Sequence, residues 1–105
     1  ICNLDSLASP ANFVLAIHNR TNAQLWKCVG GVYTNLVNVA AAYAADRVIE
    51  IRRPTGNTYS LWYNGVQIGT NQTISDAGII NNKKHGLFST GDGNSCASFT
   101  FTGVQ

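Results

Sequence analysis

The chain has 105 residues, a net charge of +2 and only 11% charged residues, against roughly 25% in ordinary globular domains. Its hydrophobic fraction of 45% is too high for a disordered chain, which combines low hydrophobicity with high charge. No basic run is longer than Lys83-Lys84 or Arg52-Arg53, and no apolar run reaches the roughly 20 residues of a membrane-spanning helix. The composition therefore argues against nucleic-acid binding and against a membrane span.

The length fits one domain. The opening "ICNLDSLASP" carries neither an initiator Met nor the charged start of a signal peptide. We therefore interpret residues 1–105 as a single domain within a longer parent chain.

Short apolar strands dominate the first half of the chain. In "NFVLAIHN" the apolar residues Phe13–Ile17 fill both faces of a strand, so we expect this strand to be covered on both sides. "AQLWKCV" and "VYTNLVNV" follow as further strands, separated by Gly30-Gly31. The Ala-rich stretch Asn38–Arg47 lacks the stripe of large apolar residues of an amphipathic helix. It is interpreted as a single helical turn or as an Ala-rich strand and loop.

The second half continues with the strand "DRVIEIRR", a turn at Pro54–Asn57, and a hairpin in which "TYSLWY" and "VQIGTNQ" flank Asn64-Gly65. Asn-Gly between alternating strands is the strongest short-range hairpin signal. "HGLFST" and "ASFTFTGV" supply the last strands. About eight short strands at this spacing predict an all-β, antiparallel fold.

The Asn64-Gly65 hairpin can be resolved into faces. A two-residue loop places Tyr63 opposite Val66 and Leu61 opposite Ile68. Because strand side chains alternate, one set shares a face and is predicted to be core. That set comprises Tyr59, Leu61, Tyr63, Val66 and Ile68, whereas Ser60, Trp62 and Gln67 share the other face.

This order of hairpins resembles the C-terminal half of the concanavalin A-like lectin/glucanase superfamily, which includes laminin-G-like modules. Members have a strand, a Gly-Asn turn, a strand ending in an aromatic-Asn-Gly hairpin, a looping segment, a Gly-Leu-Phe strand and a closing strand. The corresponding elements here are Val48–Arg52, Gly56-Asn57, Tyr59–Tyr63, Asn64-Gly65, Gly86–Phe88 and Ala97–Thr102. "NFVLAIHNRTNAQLWKCVGGVYTNLVNV" is similar to the strands that precede them.

The resemblance implies an antiparallel β-sandwich of the jelly-roll type. Full members of the superfamily are longer, and their N-terminal strands are absent or abbreviated in this sequence. We therefore expect a minimal sandwich, a fragment, or a sandwich that strands of another chain complete, since unpaired sheet edges are usually covered.

Carboxylates do not form a catalytic pair in this sequence. The glucanase branch is characterised by Glu-x-Asp-x-x-Glu on one strand, and retaining glycosidases need two carboxylates about 5 Å apart. The acids here, which do not have that spacing, are Asp5, Asp46, Glu50, Asp76 and Asp92. Glu50 lies among arginines on a strand and is interpreted as ion-paired. We predict no catalytic residue and no enzymatic activity.

The cysteines and histidines also suggest no chemistry. Cys2, Cys28 and Cys96 allow either one disulfide with a free thiol or three free thiols, and their spacing fits no zinc motif. His18 and His85 are placed in polar turns. Cys28 and Cys96 are therefore interpreted as small buried hydrophobic residues.

The loop "STGDGNS" contains Gly91–Asn94, whose oxygens leave calcium binding open. Turn chemistry favours a tight hairpin loop instead. No metal and no cofactor is predicted.

Aromatic and amide residues are the remaining candidates for binding. Sugar rings stack their C–H faces on aromatic rings, and amides bond their hydroxyl groups. The predicted ligand-binding residues are Trp26, Tyr33, Asn35, Trp62 and Gln67. The favoured interpretation of both tryptophans is nevertheless that they pack inside the sandwich, because large aromatic residues dominate small β cores.

These observations favour a non-catalytic binding module that recognises glycan or protein on a surface, as in an adhesin, a secreted enzyme or a phage fibre. The alternative is a structural domain of a virion, such as a decoration or tail-fibre protein. A glucanase-type enzyme would require acids from a partner segment. We expect an extracellular or virion location and an oligomer or larger assembly.

Overall fold

The computed structural model describes residues 1–86 and residue 100. These residues contain six strands and one short helix. In chain order they are β1 Phe13–His18, β2 Asn22–Val29, β3 Val32–Ala40, β4 Ile49–Thr55, β5 Thr58–Tyr63, β6 Val66–Thr73 and α1 Ala77–Ile80. The strands form two antiparallel three-stranded sheets, β1-β2-β3 and β4-β5-β6. The all-β prediction is therefore confirmed. Apart from Thr100, the strand predicted in "ASFTFTGV" lies outside the described residues, as do most of "HGLFST", Cys96 and the Gly91–Asn94 loop.

The structure confirms one local prediction and differs from the sequence analysis in two other segments. The Ala-rich stretch is the end of β3 followed by a loop, as one of the two interpretations held. Pro54 belongs to β4 rather than to the turn. It lies at the irregularity between Arg52 and Thr55, where the register gives it no partner on β5, and an edge strand tolerates proline at such a position. The four-residue α1 was not predicted, since a single helical turn carries too few residues to show a helical period.

The hairpin at Asn64-Gly65 has the predicted geometry. Asn64 and Gly65 have φ of 53° and 77°, the positive values that a type I′ turn requires. The register pairs Tyr63 with Val66, Leu61 with Ile68 and Trp62 with Gln67, as predicted.

One core assignment on this hairpin is wrong. Tyr59, Leu61 and Tyr63 are buried and Ile68 is half-buried, but Val66 is 61% exposed. Val66 lies at the hairpin end of the sheet, beyond the buried cluster. Strand alternation identifies the face of a residue but not how far the covering layer extends along it.

The larger of two buried hydrophobic clusters contains side chains from both sheets. Its members are Val14, Ala23, Leu25, Val37, Tyr59, Leu61, Ile74 and Ile79. A second cluster occupies the other face of β1 and consists of Leu4, Phe13, Leu15 and Cys28, with Ile1 and Trp26 packed against it. The prediction that β1 is covered on both faces is therefore confirmed for Phe13–Leu15.

The segment before β1 is tied to the rest of the chain by hydrogen bonds. Cys2 and Val14 exchange backbone hydrogen bonds of 2.8 and 2.9 Å along the outer edge of β1. The buried Asn3 side chain accepts from the Tyr59 hydroxyl at 3.1 Å and donates to the Asn82 carbonyl at 2.6 Å. These bonds satisfy polar groups that would otherwise be costly to bury.

A bulge in β6 brings the two sheets close together. Leu61 pairs with Ile68 and Tyr59 with Gln72, so Gly69–Asn71 lie opposite Ser60 alone. Gly69 has a φ of +70°, and a Cβ placed on it would lie 2.8 Å from Cγ1 of Val37 in β3. A residue without a side chain is therefore required where β3 and β6 approach each other.

Substituting Gly69→Ala should destabilise the fold by about 2–4 kcal/mol, because it adds backbone strain at positive φ to overpacking against Val37. Urea denaturation followed by circular dichroism measures the change. Gly31→Ala is the matched control, since Gly31 has a φ of +83° but a Cβ added to it would meet nothing within 4 Å. Its cost should be only about 1–2 kcal/mol. Equal costs would show that Val37 does not crowd this position.

Candidate functional site

The outer face of the β1-β2-β3 sheet carries aromatic rings beside side-chain amides. Leu25 and Val37 point into the large cluster, so the alternating residues of β2 and β3 point away from it. We call this surface the aromatic–amide face, defined by Asn22, Gln24, Trp26, Tyr33, Asn35 and Asn38. The register brings them together by pairing Trp26 with Asn35 and Gln24 with Asn38.

The aromatic rings of this face support one another. Trp26 and Tyr33 meet edge to face with their centroids 6.4 Å apart. Tyr33 meets Phe13 in the same way at 5.8 Å. Trp26 is half-buried against the second cluster, whereas Tyr33 is 50% exposed. The two rings are therefore held in place and remain accessible at the surface.

The amides continue from the indole along the same face. Trp26 Nε1 donates to Gln24 Oε1 at 3.1 Å, and Gln24 Nε2 donates to Asn38 Oδ1 at 3.1 Å. Asn22 Nδ2 donates to the same Asn38 oxygen at 2.8 Å. Within residues 1–86 no protein group bonds Asn38 Nδ2 or Asn22 Oδ1. One donor and one acceptor are thus available to a ligand on an otherwise fixed row of amides.

This face has no charge. The side chains of β1, β2 and β3 that point away from the large cluster include no Asp, Glu, Lys or Arg. Lys27 belongs to the opposite side of β2, where Nζ lies 2.7 Å from Asp76 Oδ2. A ligand held here would be recognised by ring stacking and neutral hydrogen bonds rather than by ion pairing.

The second predicted tryptophan has a different environment. Trp62 lies on the outer face of the β4-β5-β6 sheet, between Glu50 and Gln67 on the neighbouring strands. Arg52 Cζ is 3.7 Å from the centroid of the indole, and Trp62 Nε1 donates to Ser60 Oγ at 2.9 Å. One ring face and the indole N–H are therefore already occupied.

Glu50 and Gln67 are also occupied. The Arg52 guanidinium donates to both Glu50 oxygens at 3.1 and 3.2 Å, which confirms the ion-paired interpretation of Glu50. Gln67 Nε2 donates to Asn71 Oδ1 at 2.8 Å. Trp62 and Gln67 form a self-contained surface with few free groups.

The structure thus divides the five predicted binding residues between two surfaces. Trp26, Tyr33 and Asn35 share the aromatic–amide face, whereas Trp62 and Gln67 belong to the other sheet. Neither tryptophan belongs to the large cluster. Gln24 and Asn22 were missed as site residues. Strand alternation would have found them, because they precede Trp26 by two and four positions.

His18 does not lie in a polar turn. It is the last residue of β1, and its ring lies 4.8 Å from that of Tyr63 and 5.6 Å from that of Tyr43. Its Nδ1 accepts from the Arg20 N–H at 3.0 Å and its Nε2 lies 2.8 Å from the Ala41 carbonyl oxygen. Because a carbonyl can only accept, Nε2 carries the proton. His18 therefore fastens the loop between the two sheets.

The described cysteines are poorly suited to chemistry. Cys2 and Cys28 are free thiols that pack into different clusters on opposite faces of β1. Burial raises the pKa of Cys2 to about 11 and also raises the pKa of Cys28. The thiolate is the reactive form, so neither residue is primed as a nucleophile. The buried position predicted for Cys28 is confirmed.

Two further features are absent from the described residues. No group of three His, Cys, Asp or Glu side chains is arranged to hold a metal ion in this part of the chain. Among the same residues, no helix has the length and apolar character needed to cross a bilayer. Comparison of the chain with protein-family models, with curated proteins and with solved structures gives no match.

The Cys2 thiol, which is half-buried against the large cluster, should make the fold sensitive to alkali. Since its folded pKa is raised from 9.0 to about 11, the unfolded state releases the proton first. The stabilisation is complete below pH 9 and is lost as the pH rises towards 11. Urea midpoints measured across this range should fall more steeply for the wild type than for Cys2→Ala. Parallel declines would contradict the burial of this thiol.

Proposed function

We propose that this protein is a non-catalytic binding module whose aromatic–amide face recognises a neutral glycan on a surface. The observation that carries the proposal is the uncharged row of side chains in which Trp26 and Tyr33 adjoin Gln24 and Asn38. We further propose that the two sheets belong to a jelly-roll sandwich of the concanavalin A-like type and that the protein acts outside the cell or on a virion.

The chemistry of the face matches that of a sugar. The C–H surface of a pyranose ring is apolar and stacks on indole and phenol rings, which lose little conformational entropy on binding. Hydroxyl groups donate and accept, and the free Asn38 Nδ2 and Asn22 Oδ1 offer one partner of each kind. The hydrogen bonds among Asn22, Gln24 and Asn38 fix these amides before a ligand arrives, which reduces the entropy lost on binding.

The environments of the carboxylates support a non-catalytic role. Asp5 accepts hydrogen bonds from the backbone of Ala11 and from Asn12. Glu50 is paired with Arg52 and Asp76 with Lys27. Each of these three acids has a partner of its own and a structural explanation.

The alternative proposal is a structural domain of a virion, such as a decoration or tail-fibre protein. The observation that favours it is the exposed and uncharged edge strand β3. A binding module and an assembly domain are compatible in one chain, because the edge and the aromatic–amide face are different surfaces of the same sheet.

The protein contains two tryptophans, so each can be observed alone. Trp62→Phe leaves the fluorescence of Trp26, and Trp26→Phe leaves that of Trp62. A neutral oligosaccharide selected on a glycan array should change the emission of the Trp62→Phe variant on titration and leave the emission of Trp26→Phe unchanged.

Affinity provides the second measurement. Trp26→Ala should weaken binding at least tenfold, equivalent to about 1.4 kcal/mol, and Tyr33→Ala should weaken it less. Trp62→Ala is the control and should bind within about twofold of the wild type, a change of a few tenths of a kcal/mol. The proposal fails if no saccharide binds, or if only the emission of Trp62 responds.

A further inference from the structure

Strand β3 forms an edge of its sheet. The sheet order is β1-β2-β3, so among residues 1–86 β3 has one neighbouring strand. In the described part of the chain, no backbone group of another segment bonds to its outer edge. The Asn35 side chain caps the Val37 carbonyl oxygen at 3.2 Å. The remaining outward-pointing N–H and C=O groups of this edge are a template for another strand.

The sequence of β3 lacks the usual protection of an exposed edge. Its nine residues, Val32–Ala40, include no Asp, Glu, Lys, Arg or Pro. Natural edge strands are commonly short, charged or interrupted by proline to prevent pairing with another chain. The structure has a bulge beside Leu36, where Trp26 pairs with Asn35 and Leu25 with Val37. A valine is exposed near each end of the strand: Val32 is 68% exposed and Val39 is 40% exposed.

We propose that β3 is a self-association edge, on which a second copy of this chain pairs antiparallel so that Val32 lies opposite the second copy's Val39. The register follows from the faces of the strand. Val32, Thr34, Val37 and Val39 point to the side of the large cluster, whereas Tyr33 and Asn38 belong to the aromatic–amide face. Directly opposed residues of an antiparallel pair must share a face.

This register satisfies that condition for three pairs of residues. The central pair is the exception, because the bulge places Asn35 of the aromatic–amide face opposite Leu36, which packs against the large cluster. Val32 meets Val39, Thr34 meets Val37 and Tyr33 meets Asn38, and each pair joins residues of the same face. Val32 of each copy is covered by Val39 of the other copy. The twofold symmetry of the dimer therefore gives two such valine pairs. No charged side chain of β3 is brought opposite its own copy, so the pairing has no like-charge repulsion to overcome.

The dimer would have a consequence for binding. Because opposed residues share a face, the two aromatic–amide faces lie on the same side of one continuous sheet. Two weak sites on one side can engage a glycan-bearing surface together, which raises the apparent affinity without a new contact at either site. This consequence rests on the proposed function, whereas the dimer itself does not.

Sedimentation velocity and light scattering over a concentration series test the pairing. The wild type should show a concentration-dependent dimer in the micromolar range, equivalent to about 8 kcal/mol. Val32→Glu and Val39→Lys each place two extra charges against apolar partners and should raise the dimer dissociation constant at least tenfold. Val66→Lys, which charges an exposed valine of the other sheet, is the matched control and should leave dimerisation unchanged. Circular dichroism checks that each variant is folded.

The double variant Val32→Glu/Val39→Lys tests the register itself. It places opposite charges across each valine pair and should recover the dimer that either single substitution disrupts. Oxidation of a mixture of Tyr33→Cys and Asn38→Cys chains, which carry the substitution on opposed residues, should give a disulfide-linked pair. A wild type that stays monomeric up to about 1 mM, equivalent to about 4 kcal/mol, overturns the proposal. So does a double variant that remains monomeric, or dimerisation that is unaffected by Val39→Lys.

The outcome is separable from that of glycan binding. A monomeric Val39→Lys variant should bind a soluble oligosaccharide with unchanged affinity but attach to a glycan-coated surface at least tenfold more weakly. Loss of surface attachment with intact dimers would indicate failure of the binding face. An intact binding face with no dimer at any concentration would indicate failure of the β3 pairing.

Discussion

The shared hydrophobic cluster determines which side chains of β2 and β5 point outward. Leu25 and Leu61 are fully buried in it, one from each sheet. Because strand side chains alternate, burial of Leu25 directs Gln24 and Trp26 outward, and burial of Leu61 directs Trp62 outward. A slip of one residue in either strand would exchange the buried and exposed sets. Both tryptophans therefore obtain their positions from apolar neighbours, and the chemistry that the surface presents depends on the packing beneath it.

The same alternation yields two different surfaces because the neighbouring strands differ. Trp26 has uncharged neighbours, Leu15 on β1 and Asn35 on β3, so its surroundings consist of rings and amides. Trp62 has Glu50 beside it, and Arg52 bridges the two by bonding the carboxylate and covering the indole. A cation held over an aromatic ring stabilises it by about 0.5–1 kcal/mol at an exposed site and occupies the surface that a sugar would need. The two tryptophans look equivalent in the sequence, but their surroundings in the structure differ.

Local sequence signals predict this fold up to the point where distant segments meet. The Asn64-Gly65 turn, the hairpin register and the burial of Tyr59 and Leu61 follow from turn chemistry and a period of two. The exposure of Val66 does not follow, since it depends on how far the other layer extends. The requirement for Gly69 is equally hidden, because Val37 lies in the other sheet. For the binding residues, alternation is sufficient to group Trp26 with Gln24, but only the cross-strand register adds Asn38 and separates Trp62.

The scarcity of charged side chains on the β1-β2-β3 sheet underlies both the proposed glycan binding and the proposed pairing of β3. A face that binds a neutral ligand gains nothing from Lys or Glu, and its amides must not be captured by stronger partners such as the carboxylate that holds Arg52. The same scarcity removes the charges that usually keep an edge strand from pairing. Both consequences concern β3. Its Tyr33 and Asn38 belong to the aromatic–amide face, whereas its Val32 and Val39 are exposed at the edge of the sheet. Pairing β3 with a second copy would cover the valines while leaving the aromatic–amide face uncharged.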